Sequence, residues 1–133
     1  MMSDRDLRAQ KSVFLADQIN ICISLIHSFG NSIANVPYDI EINYKKINEL
    51  LPKNENLMHE FIHITFGPQS PLLSMFNAAH ARITTTVNRT AGLIFHSRKL
   101  LPKGAHDAYL QEIEEYKNIV VMICGECQRA YRQ

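Results

Sequence analysis

The sequence has no tryptophan, only five glycines and three cysteines, and not one aspartate or glutamate between Phe61 and His106. Each shortage excludes something. Three cysteines, of which only Cys124 and Cys127 lie close together, do not make a disulfide framework. They suit a reducing compartment, so the expected location is cytoplasmic. The few glycines form neither a GxGxxG nor a Walker pattern, which removes the familiar phosphate-cradling loops. No serine sits in a nucleophile elbow. Long apolar runs are missing too. The uncharged stretch from Gln18 to Tyr38 is interrupted by Asn20, Ser24, His27, Gly30, Asn31, Ser32 and Asn35, which predicts no transmembrane helix and no membrane partner. The opening residues Asp4, Arg5, Asp6 and Arg8 mix both signs, unlike a secretory leader.

What is present fits one domain spanning 1–133. The chain has 133 residues, is 46% hydrophobic and carries a formal net charge of +1. That length buries a core without staples, and that composition excludes wholesale disorder. The near-neutral total excludes a chain that binds polyanions by bulk charge.

The apolar spacing is helical. Ser3 is placed to cap a first helix, in which Leu15, Ile19, Cys22, Ile26 and Phe29 share a face. Leu7, Phe14, Ile21 and Leu25 form a second stripe beside it, the mark of a helix with two neighbours. Asn31 to Tyr38 reads as a loop. Short helices are expected over about 40–51, stopped by Pro52, and over about 55–66, stopped before Gly67-Pro68. Ser70-Pro71 then starts a long helix with Leu72, Phe76, Ala79, Ile83, Val87, Ile94 and Leu101 on one face, ended by Pro102 and Gly104. In the last helix Tyr109, Ile113, Tyr116, Val120, Ile123, Cys127 and Ala130 alternate spacings of four and three. The expected fold is all-α, an antiparallel bundle of four to five helices.

The acid-free stretch carries Arg82, Arg89, Arg98, Lys99 and Lys103, so the rest of the chain carries the balancing negative charge. Arg82, Arg89 and His96 recur every seven residues and form one stripe. A cationic stripe without carboxylates suits RNA, a phosphate or an acidic partner. The plainer expectation is a solvated face, partly neutralised by Glu112, Glu114 and Glu115 of the last helix.

Two motifs suggest metal. His59-Glu60-Phe61-Ile62-His63 has the letters of the HExxH pattern and resembles zincin metalloproteases over those five residues. No His, Asp, Glu or Cys follows between Ile64 and Ala79, and no sheet is expected, so a protease lacks its third ligand. Cys124-Gly125-Glu126-Cys127 has only six residues after it, too few for a thioredoxin-type domain. Joined to His59 and His63, the pair makes a Cys₂His₂ set whose order resembles the HHCC zinc domain of retroviral integrases. The competing expectation is two surface histidines, two core cysteines and no cofactor.

A third motif is Arg89-x₆-His96. With the helical class, the length and a position before the last helix, it resembles the HEPN-type ribonucleases. That resemblance implies a metal-independent endoribonuclease, usually with its cleft across a homodimer. His96 would handle protons during attack by the RNA 2′-hydroxyl, and Arg89 would stabilise charge on the phosphorane. His27, His80 and His106 read as ordinary boundary residues. The leading expectation is a non-enzymatic interaction or regulatory module that binds a protein partner or self-associates as a homodimer. The ribonuclease is the alternative and the zinc-stabilised module comes third.

Overall fold

The computed structural model describes residues 3–31, 37–97 and 103–132. Four helices fill it: α1 (Asp4–Asn31), α2 (Pro37–Phe66), α3 (Pro71–Ser97) and α4 (Lys103–Arg132). Among the described residues there is no strand. The β-branched run Ile119-Val120-Val121 is helical, as its surrounding period predicts.

Local chemistry sets the ends. The Ser3 hydroxyl accepts from the Asp6 amide at 3.1 Å, and Asp4 and Asp6 stand at the positive end of α1. The Ser70 hydroxyl accepts from the Leu72 amide at 3.2 Å, with Pro71 in the first turn of α3. Gly67 closes α2 at φ +89°, where its amide donates to the His63 carbonyl at 2.8 Å. A side chain is disfavoured in that left-handed conformation, which is why glycine occupies it.

α2 corrects an expectation. Pro52 does not stop a helix; it lies inside one 30-residue helix. A proline there forfeits one backbone hydrogen bond and crowds the preceding turn, at a cost of about 3 kcal/mol. Burial outweighs that cost. Ile47 and Leu51 before the proline, and Met58 and Ile62 after it, continue one buried face. Asn54, 2% exposed, adds a polar tie to α1, its side-chain amide donating to the Gln18 carbonyl at 3.4 Å. Among the described residues the bundle therefore has four helices, and Tyr38 belongs to α2 rather than to a loop. Gly104 likewise lies within α4 and does not end α3; Leu101 and Pro102 lie outside the described residues.

Cross-helix contacts fix the directions. Tyr109, near the start of α4, donates its hydroxyl to the Ile26 carbonyl near the end of α1 at 2.6 Å. Phe29 of α1 stacks on Tyr44 of α2, their centroids 5.8 Å apart. Tyr44 donates to the Asn88 side-chain carbonyl of α3 at 2.7 Å. His80 of α3 meets Tyr116 of α4. Sequential helices are thus antiparallel, and α1 closes the ring against α4. The core runs along their common axis, from Leu15, Ile19, Cys22, Ile26 and Phe29 through Phe76, Ile83 and Val87 to Tyr109, Ile113, Tyr116, Val120 and Ile123.

Candidate functional site

Only part of the proposed cationic stripe is free. Arg82 is drawn to α4, 3.3 Å from Glu115 and 4.0 Å from Glu112. The acidic last helix neutralises that arginine, as its charge predicts. Arg89 and His96 are exposed on α3, and neither has an ion pair with another described residue. Arg98 and Lys99 lie outside the described residues.

The His/Cys quartet is not gathered. His59 turns to α3, where its Nε2 meets the Asn77 side-chain oxygen and its ring stands edge-on to Phe76. His63 is exposed. Cys124 and Cys127 are buried in the core, and the Cys127 thiol bonds Thr65 of α2. Thr65 and His63 are two residues apart on one helix, roughly 200° around it, so a thiol reaching one is turned from the other. Burial pushes the Cys124 thiol up to about 12 and the Cys127 thiol up to about 11, which keeps both as neutral packing groups. Among the described residues no three His, Cys, Asp or Glu side chains are grouped so as to hold a metal ion. Glu60 of the HExxH letters instead lines a groove between α1 and α2.

That groove has a volume of about 530 Å³. Leu15, Leu57 and Phe61 line it along its inner side, Leu7, Phe14 and Ile64 along its outer side, and Asp4, Arg8, Lys11 and Glu60 bring charge. The first helix carries two apolar stripes, as its sequence predicts; among the described residues one is buried in the core and the other is largely exposed. Leu15, Ile19, Cys22, Ile26 and Phe29 are buried. Leu7, Phe14 and Ile21 are 45%, 56% and 50% exposed, with Leu25 partly buried at the end of their row.

The second feature is one that the sequence reading passes over. His80 is not a boundary residue; it is 4% exposed. Its Nδ1 lies 3.2 Å from the Tyr116 hydroxyl of α4, and its Nε2 lies 3.2 Å from a Glu55 carboxylate oxygen of α2. One imidazole thereby joins three helices. A carboxylate only accepts, so the ring hydrogen belongs on Nε2, and Nδ1 accepts from the tyrosine. Burial lowers the His80 pKa from its ordinary value; Glu55 pulls it up, and His59 pushes it down again. Burial also raises the Tyr116 hydroxyl, so both groups are neutral near pH 7. A faint signal was present. His80 falls between Phe76 and Ile83 at core spacing, and Tyr116 sits in the apolar seam, where a buried hydroxyl wants a partner.

Compared with protein-family models, curated proteins and solved structures, the chain matches none.

Proposed function

We propose that this protein works as a binding module whose partner is a second copy of itself, docked on the α1–α2 face. The observation that carries the reading is the exposed stripe Leu7, Phe14 and Ile21 on a helix whose other apolar stripe is already buried. Exposed apolar rows of this kind mark interaction sites. The row favours self-pairing. Its members are seven residues apart with Phe14 central, so an antiparallel copy with Phe14 on the two-fold axis sets Leu7 against the partner's Ile21. The groove beside it carries two acids and two bases, Asp4, Glu60, Arg8 and Lys11. Balanced charge tolerates a like surface and gives no pull on a polyanion. A stable interface needs ~800 Å² from each partner, for which this row with the partly exposed Leu57 and the exposed Ile64 supplies an apolar centre.

The test is mass against concentration by light scattering or native mass spectrometry. Wild type is expected to dimerise, and Phe14→Asp is expected to be monomeric with unchanged helical content. A wild-type chain that stays monomeric at the highest workable concentration overturns the reading.

A second reading is a HEPN-like ribonuclease. Its support is that Arg89 and His96 are both exposed on one α3 stripe, while Arg82 is held by α4. Seven residues separate them by about 10.5 Å along the axis. This reading places α3, not α1, at a cleft between copies. RNA cleavage that disappears with either Arg89→Ala or His96→Ala is its expected result. Absence of cleavage, or cleavage retained in both variants, removes it.

A further inference from the structure

We propose that Glu55, His80 and Tyr116 form a proton-operated latch that moves the grip of α3 from α4 to α2. It is independent of the docking on α1 and concerns the interior of the bundle. Its basis is connectivity. His80 touches a carboxylate from α2 through one ring nitrogen and a phenol from α4 through the other, each at 3.2 Å.

In the neutral ring the two bonds point in one direction. Tyr116 donates to Nδ1, and Nε2–H donates to Glu55. A proton arriving on Nδ1 reverses the first bond. Both ring nitrogens now donate, so the phenol can only accept from His80, and its own hydrogen loses the acceptor it had. Tyr116 is 3% exposed, so water does not readily replace that acceptor. The second bond changes the other way, because an imidazolium facing Glu55 is an ion pair. Proton uptake therefore weakens the α3–α4 tie and strengthens the α2–α3 tie.

The other groups around the ring do not take over the titration. From α2, His59 adds mild repulsion to the charged form. Cys22 of α1 and Cys124 of α4 act on Tyr116, and burial pushes each of those thiols up to about 12, so they stay neutral. Arg82, two residues along α3, is engaged with Glu112 and Glu115. Glu55 is the part of the latch nearest solvent, its side chain 42% exposed, and gives the proton a way in.

The sign follows from burial. The folded chain holds His80 neutral to lower pH than the unfolded chain, whose ordinary value is 6.5. The stabilising effect is complete above that value and is lost as the pH falls from there through the folded midpoint.

The test is an NMR titration of the His80 ring proton in the full chain, with amide exchange followed at the two ends of the titration. The His80 midpoint is expected below 6.5. Tyr116→Phe removes the donor that favours the neutral ring, so the midpoint should rise by about half a unit or more. Glu55→Gln removes the attracting charge and should lower it. On acidification, protection should fall in α4 around Tyr116 more than in α2 around Glu55. A wild-type midpoint at or above 6.5 overturns the proposal, as does a midpoint unmoved by Tyr116→Phe or protection that falls equally on both helices. Glu55→Gln alters a half-exposed side chain, so it keeps the test open should Tyr116→Phe not fold.

Discussion

The α1–α4 seam and the α2–α3 seam are built from different materials. α1 and α4 bring Ile19, Ile23 and Ile26 and Tyr109, Ile113 and Val120 into the same apolar core, with a buried hydrogen bond from Tyr109 to the Ile26 carbonyl. Between α2 and α3 the ties are polar: His59 to Asn77, Glu55 to His80 and Tyr44 to Asn88, with Phe95 edge-on to Tyr44. Apolar packing is non-directional and indifferent to pH; polar ties are directional and can be switched. The bundle keeps its first and last helices together by the first means and holds α2 to α3 by the second.

The sharpest way to break the contrast is to truncate one residue in each seam. Ile26→Ala, at a fully buried position, should lower the unfolding free energy by about 2–5 kcal/mol in urea titrations. Asn88→Ala removes an exposed acceptor from Tyr44 and should cost only about 0.5–1.5 kcal/mol. Equal costs would abolish the distinction. Between these in size is Pro52→Ala, which returns a backbone donor to α2. It should raise stability by about 1–2 kcal/mol, after the loss of proline's restraint on the unfolded chain. A fall in the urea midpoint would mean that the buried face formed by Ile47, Leu51, Met58 and Ile62 depends on the proline. Arg82→Ala breaks an exposed ion pair with Glu115 and a longer one with the partly buried Glu112, and should change stability by about 1 kcal/mol, with the Glu115 part shrinking in high salt. Chelation should shift the melting temperature least of all, because the described histidines and cysteines are not grouped around a metal site.

Much of this fold was legible because α1, α3 and α4 announce themselves by period and cap. Every member of the first α1 stripe is buried, and so are Tyr109, Ile113, Tyr116, Val120, Ile123 and Cys127 of α4; Ala130, the last of that row, is exposed. The continuity of α2 is not legible because proline acts as punctuation by a local rule, whereas its survival in a helix depends on tertiary burial at Ile47, Leu51, Met58 and Ile62. The latch was illegible for a related reason. Glu55 precedes His80 by 25 residues and Tyr116 follows it by 36, and no local spacing brings them together. The second stripe of α1 is visible as a pattern and α1 has the two neighbours it implies, α2 and α4; that Leu7, Phe14 and Ile21 stay exposed beside them is not legible, because the period does not say how far a neighbour covers a stripe.

The pairing of α1 with α4 also sets a clock. Tyr109 and the Ile26 carbonyl it binds are 83 residues apart in the chain. At ~5–20 residues per second, a ribosome needs about 4–17 s to make what lies between them. Through that interval the inner face of α1, with Ile19, Ile23 and Ile26, has been synthesised but its α4 partner has not. Until α4 emerges, the nascent protein thus exposes the outer stripe of α1 and the part of its inner face that α2 does not cover. Slowing translation ahead of α4, or trapping chains stalled there, should reveal the period in which this molecule most needs a chaperone.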